Sequence, residues 1–251
     1  MRRLWFRWAS LVAFAAVLGV VFVNLGEWQL HRLDQRRARN NATLTNEAKP
    51  VRPLAEVFTR QLTDADQWQR VEARGTFDGE HQFVIRYRRN GGDRGYEVVT
   101  PLRTSSGVVL VDRGFVETSA GQTPRVAPPP PSGEVTVIGH VRRNEHGRRA
   151  ATTPVDGQMR LINSDAIAPV LGYPLLNGYV GLLEVTPPQS GALEPVELPE
   201  ISEGPHFWYA MQWFAFTAVG VGGIVVFIRG DLRARREEQA AANGRKPTSV
   251  G

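Results

Sequence analysis

The stretches ASLVAFAAVLGVVFVNL (residues 9–25) and AMQWFAFTAVGVGGIVVFI (residues 210–228) decide how this chain is built. Neither contains a charged residue. At about 1.5 Å per residue, helices of this length cover most of a hydrocarbon core roughly 30 Å thick. The first run gives way to Gly26-Glu27-Trp28-Gln29-Leu30-His31-Arg32, and the second is entered through His206-Phe207-Trp208-Tyr209. Trp5 and Trp8 flank one end of the first run and Trp28 the other, while Trp208, Tyr209 and Trp213 sit at the start of the second, as an interfacial aromatic belt requires.

The predicted fold class is therefore a membrane protein with two transmembrane helices bracketing an extracytoplasmic, mainly antiparallel β domain, a small barrel or sandwich. The boundaries are a cytoplasmic N-terminus (1–8), a first span (9–25), the β domain with a helical entry and an acidic linker (26–205), a second span with its interfacial entry (206–228) and a basic cytoplasmic tail (229–251). The first run has a basic start but no small-x-small cleavage site after it, so it reads as an uncleaved anchor. Charge sets the orientation. From Leu161 to Ile228 there is no Lys or Arg, while Asp165, Glu184, Glu194, Glu197, Glu200 and Glu203 supply acids, and Arg229, Arg233, Arg235 and Arg236 follow at once. The positive-inside rule then places both termini in the cytoplasm of the cell. Arg32, Arg36, Arg37 and Arg39 pull the other way, but they head a long segment, where the rule weakens.

There is no cysteine, which excludes disulfides, thiolate metal ligands and covalent haem attachment. The net charge of +5 comes mostly from arginine, since Lys49 and Lys246 are the only lysines. Much of it flanks the spans, so nucleic acid is not an expected partner and membrane lipid is.

Between the spans, Leu30 to Asn40 has no helix breaker and extends the first helix until Pro50 and Pro53. Leu54 to Leu62 reads as a short helix. Val71, Ala73, Gly75 and Phe77 alternate with polar neighbours as in a strand, with Gln82 to Tyr87 as its hairpin partner across Asp78-Gly79. Tyr96–Leu102 and Val108–Val116 flank a turn at Thr104–Gly107, and Val135–Val141, Gln158–Asn163 and Tyr179–Thr186 complete about seven strands. Ser164–Leu171 reads as one capped helix.

The pairing of Leu25-Gly26-Glu27-Trp28-Gln29-Leu30 with His206-Phe207-Trp208-Tyr209-Ala210-Met211-Gln212-Trp213-Phe214 resembles the surfeit-locus family of cytochrome c oxidase assembly factors. Gly95-Tyr96-Glu97-Val98-Val99-Thr100-Pro101-Leu102, Val109-Leu110-Val111-Asp112-Arg113-Gly114-Phe115-Val116 and the acidic linker match in the same order. Gly26, Trp28, Gln29, Arg113 and Gly114 carry that pattern. The resemblance implies a non-catalytic role in maturing the haem-copper oxidase, with oxidase subunits or assembly intermediates as partners. It also implies haem a as a cofactor bound or handed over at the outer membrane surface, with His206 as the implicated histidine.

The residues themselves leave two readings open. His206, Tyr209, Ala210, Trp213, Thr217 and Gly220 share one helix face, where an imidazole and two aromatic rings offer an axial iron ligand and a bed for a flat apolar macrocycle. The other reading is an interfacial histidine among belt aromatics, satisfied by water or a headgroup. His31 is a second, weaker ligand candidate; His81, His140 and His146 show no ligand spacing. Asn24 and Gln212, polar residues at comparable depth, are expected to hydrogen-bond across the helix pair or to lie in the wet interface. Ala218 and Gly222 give a small-x-x-x-small spacing suited to close helix approach. Asp112-Arg113-Gly114 reads either as the anchor of a bulge or partner contact or as a solvated turn. Outside the resemblance, the alternatives are a membrane-anchored extracytoplasmic protein-binding scaffold or a hydrolase. The sequence has no G-x-S-x-G or H-E-x-x-H to support the hydrolase.

Overall fold

A computed structural model describes residues 2–118, 127–191, 193–199 and 201–244. Glu200 of the acidic linker and Lys246 lie outside these. The chain divides into two compact units, one from Met1–Arg39 with Ile201–Gly251 and the other from Asn40–Glu200.

The first unit is a helix pair. Helix α1 runs Arg2–Glu47 without a break, so the apolar run ends at Gly26 but the helix does not. Its sequence contains no proline before Pro50, and a lone glycine costs a helix only about 1 kcal/mol. The C-terminal helix runs His206–Gly244, directly after Pro205. The Tyr209 N–H donates to the Pro205 carbonyl, which closes its first turn. Both are long and apolar enough to cross a membrane.

The second unit is a β barrel with additions. In chain order its elements are β1 (Arg52–Pro53), α2 (Leu54–Val57), β2 (Arg70–Phe77), β3 (Phe83–Asn90), β4 (Asp93–Thr104), β5 (Gly107–Glu117), β6 (Glu134–Arg142), α3 (Arg149–Thr152), β7 (Gln158–Met159), α4 (Ser164–Leu171) and β8 (Tyr179–Thr186), which makes the C-terminal helix α5. Five strands close in the order β2-β6-β8-β5-β4, with β4 returning to β2. Closure removes the free edges that an open sheet would expose. The barrel is the expected alternative rather than the sandwich, and mostly antiparallel, but β5 and β8 run parallel. Gly75 faces Thr104 where β2 meets β4, and a side chain there would run into the Arg103 carbonyl.

Strand alternation sorts the core. Val109 and Val111 join Val71, Phe77, Leu102, Val137 and Val180 in one apolar cluster, which α2 completes with Leu54 and Val57. Leu110, between those two valines, belongs instead to a second cluster with Ile85, Val99, Ile162 and Ile167 under α4. That helix has the bounds the sequence predicts. The Asn163 side chain accepts from the Ala166 N–H, and Gly172 stops it in the left-handed conformation.

Three local expectations are corrected. Gln82 to Tyr87 does not fold back on β2. Instead β2 and β3 follow one another along the same side of β4, pairing with residues 102–104 and 93–99. The Asp78 N–H continues that ladder to the Pro101 carbonyl, and a single 3-10 turn at Gly79–His81 makes a corner rather than a reversal. Asp78 holds the corner by accepting from Arg103 and the Tyr173 hydroxyl. The strand expected over Gln158–Asn163 stops after Met159 because the Arg160 and Leu161 N–H groups both turn to the Ala151 carbonyl. The helix expected over Leu54–Leu62 is one turn, ended as Phe58 leaves helical geometry.

Candidate functional site

The histidine singled out at the entry to α5 is held by a residue of the other motif. His206 Nδ1 lies 2.8 Å from Gln29 Oε1. An amide oxygen only accepts, so Nδ1 is the donor in this contact and Nε2 is the ring nitrogen that Gln29 does not engage. Successive turns of α5 then pack on α1. Ala210 is fully buried, and the Trp213 ring lies 5.4 Å from that of Phe22. Phe214 covers Gly26, where an added Cβ would come within 2.6 Å of its ring. Thr217 Cγ2 is 3.9 Å from the corresponding position at Gly19.

The face carrying His206, Ala210, Trp213 and Thr217 is thus the seam of the helix pair. Tyr209 is half exposed, with Phe207 and Trp208 exposed beside it. Trp28 is also exposed, with the Arg32 guanidinium 5.5 Å from its ring. Two further contacts set the register. Arg37 makes a bidentate pair with Glu203 at 2.7 and 2.9 Å, and Trp8 Nε1 donates to Asp231 at 2.9 Å.

Asn24 and Gln212 are not brought together: the Asn24 amide donates to the Val20 carbonyl of its own helix, and Gln212 is exposed. A polar side chain inside a helix commonly resolves its hydrogen bonding this way. The Ala218–Gly222 spacing is not used either, since nothing lies within 4 Å of a Cβ placed at Gly220 or Gly222. His31 Nδ1 faces the Glu27 carbonyl at 2.9 Å, His81 pairs with Asp78, His140 is buried edge-on to Trp68, and His146 is exposed. Among the described residues, no group of three or more His, Asp or Glu side chains has the arrangement to hold a metal ion.

Asp112-Arg113-Gly114 is a bulge and not a solvated turn. Between the pairs Val99–Asp112 and Glu97–Phe115, β5 carries one residue more than β4. Gly114 has φ +132°, and its added Cβ would lie 2.5 Å from the Glu194 carbonyl oxygen. The next residue, Phe115, exchanges two backbone hydrogen bonds with Glu194, so the linker is stitched to β5 there. Arg113 is 1 % exposed and, among the described residues, has no carboxylate partner. Its guanidinium donates to Gln82 Oε1, Gln189 Oε1 and the Pro128 and Pro129 carbonyls, all neutral acceptors. Burial pulls its pKa down to about 10.

Asp112 has the opposite problem. Its Oδ1 accepts from the Gly114 N–H, but it is buried near a network in which Arg88 bridges Glu97 and Glu145 at 2.7 Å each. Burial, against the pull of Arg88 and that N–H, pushes the Asp112 carboxyl up to about 6. Burial and Asp112 together hold Glu97 well above the carboxylate range. Sequence reasoning missed this network, because Arg88, Glu97, Asp112 and Glu145 stand on three strands and a loop with no local spacing in common.

A family model described as the SURF1 family matches residues 16–218 of the chain. An uncharacterized SURF1-like protein of Mycobacterium tuberculosis is 30% identical over 242 residues, covering 94% of this chain and 88% of the relative. A SURF1-like protein of Mycobacterium bovis matches to the same extent. The cytochrome oxidase assembly protein SHY1 of Saccharomyces cerevisiae is 29% identical over 108 residues, which are 40% of this chain and 28% of the yeast protein.

The raised Asp112 pKa has a definite sign for stability. Between its unfolded value of 3.8 and about 6, the folded state keeps a proton that the unfolded state loses. Stability from this group is therefore complete below about pH 4 and lost as pH rises through about 6. Asp112→Asn keeps the acceptor for Gly114 and removes the charge. It is expected to gain on the order of 2 kcal/mol at pH 7 and little at pH 4. Thermal unfolding across that range checks this; equal effects at both pH values would contradict it.

Proposed function

The chain belongs to the SURF1 family, and from that premise we propose that it is a membrane-anchored, non-catalytic assembly factor for haem-copper cytochrome c oxidase. The observation that carries the reading is the likeness to the yeast protein named for cytochrome oxidase assembly, within a family match running from α1 through the barrel into α5. Oxidase subunits or assembly intermediates are the proposed partners.

The helix pair is proposed to span the cell membrane. Trp8 and Trp28 are twenty residues apart on α1, about 30 Å along a helix, the thickness of a hydrocarbon core. The exposed aromatics Trp28, Phe207, Trp208 and Tyr209 would then lie in one interface, and Arg229, Arg233 and Arg236 beyond the other. By the charge argument both termini are cytoplasmic and the barrel is extracytoplasmic.

Haem a is proposed as cargo at the His206 end. Two features fit. The Gln29 bond leaves His206 Nε2 able to ligate iron, as an orienting partner does in metal sites, and Tyr209 offers an apolar ring outside the seam. Haem held there brings the iron centre that the oxidase needs. His206 and Tyr209 would hold it, while Trp213 supports the ligand from within the seam.

Protease added to spheroplasts is expected to cut the barrel loop around Pro128–Ser132, whereas protection of that loop with cleavage of the C-terminal tail would reverse the orientation. Substituting His206→Ala is expected to weaken haem binding by the purified protein about tenfold or more and to shift the Soret band, as loss of an axial ligand should. His31→Ala should do much less. An unchanged spectrum and affinity in His206→Ala would remove the histidine from the site.

A further inference from the structure

One side of β3 is left open between two covers. Strand β7 pairs with Val84 and Ile85 only, and the linker reaches the far end, where the Asn90 amide donates to the Pro195 carbonyl and its oxygen accepts from the Glu197 N–H. From Arg86 to Arg89 the strand beside β3 is β4 alone; Arg86 and Tyr87 bulge out of that pairing, which resumes at Arg88 and Arg89. Past the bulge the outer side of Arg88–Arg89 is a short open edge that can take the backbone of an added segment.

The side chains along it are unusual. Tyr87 is 72% exposed and held at φ +63°, a conformation that costs a non-glycine residue energy. Two guanidiniums flank its ring, Arg86 at 5.5 Å and Arg160 at 5.0 Å from the centroid. Arg86 Nε is buried with no acceptor among the described residues. Among the described residues none of Arg86, Arg89 and Arg160 forms an ion pair, whereas Arg88, between them in sequence, is turned to Glu97 and Glu145. A cationic edge is a common guard against self-pairing. Here, however, the charges gather around a strained, exposed aromatic ring and a donor that lacks its acceptor.

We propose that residues 86–89 of β3 are a docking edge for a short acidic extended segment of another protein. The segment's backbone would pair at Arg88–Arg89, past the bulge, and its carboxylates would meet Arg86, Arg89 and Arg160, with Tyr87 under its side chains. Acidic is the sign that fits, because nothing else described there neutralises these cations. None of these residues has a part in the proposed haem site.

The test is binding of the full-length protein, in nanodiscs of neutral lipid, to a short biotinylated peptide of alternating glutamate and valine. The wild type should bind it and not the lysine–valine counterpart, and methylating alternate peptide amides should abolish binding. The double variant Arg86→Gln/Arg160→Gln should weaken binding at least about tenfold, as loss of charge-assisted bonds does, while Arg233→Gln/Arg236→Gln, which removes the same charge elsewhere, leaves it unchanged. The proposal is overturned if the wild type does not bind, if both double variants lose binding equally, if the methylated peptide binds as well, or if vesicles containing phosphatidylglycerol occupy the edge in the peptide's place.

Discussion

The close approach of α1 and α5 at Gly26 is the contact on which the histidine end depends. Without a side chain at 26, the Phe214 ring lies directly on the α1 backbone, and Ala210, one turn away on α5, is shut off entirely. Helices in an apolar medium gain little from the hydrophobic effect and associate through such close packing. Once the backbones are this near, Gln29 can reach the imidazole of His206, and a single hydrogen bond selects which ring nitrogen stays free. Arg37 with Glu203 and Trp8 with Asp231 keep the two helices in the same register at widely separated points.

The barrel shows how one strand can carry two incompatible charges. Adjacent strand residues point to opposite faces, so Asp112 and Arg113 never share an environment. Arg113 closes off neutral oxygens from the Pro128-Pro129 loop and from Gln82 and Gln189, which ties three separate segments to β5. Asp112 looks toward Glu97 and Glu145, with Arg88 and Arg142 as the cations near it. Losing Arg88 would leave buried Glu97 and half-buried Glu145 without their cation, whereas neutralising Asp112 removes a charge that burial penalises. The glycine between the bulge and the linker permits both arrangements, since only a residue without Cβ can hold φ +132° against the Glu194 carbonyl.

Much of this was legible in the residues. The charge-free runs, the alternation of Val71–Phe77 and Val135–Val141, the turn at Thr104–Gly107 and helix α4 with its cap follow from short-range patterns, and the ordered motifs identify the family. What escaped was set at long range. Asp78-Gly79 looks like a hairpin turn until Pro101, more than twenty residues on, supplies the hydrogen-bond partner that keeps the chain moving along β4. The parallel β5–β8 pair arises where five strands, an odd number that cannot alternate throughout, close into a ring, which no local period encodes. Position along the apolar runs put Asn24 and Gln212 at comparable levels but did not say which way each faces. The seam uses Gly19 and Gly26 of α1 rather than Gly220 and Gly222 of α5. His206 stood out as a motif residue, but its partner could be assigned only when the helices were seen packed.

The most direct measurement is a reduced-minus-oxidised spectrum of membranes from the host organism lacking this gene, compared with the same strain carrying the gene restored. An assembly role predicts that the a-type haem band falls while b- and c-type bands persist, with some oxidase activity remaining because such a factor acts on yield rather than chemistry. An a-type band of undiminished height with full oxidase activity would contradict it.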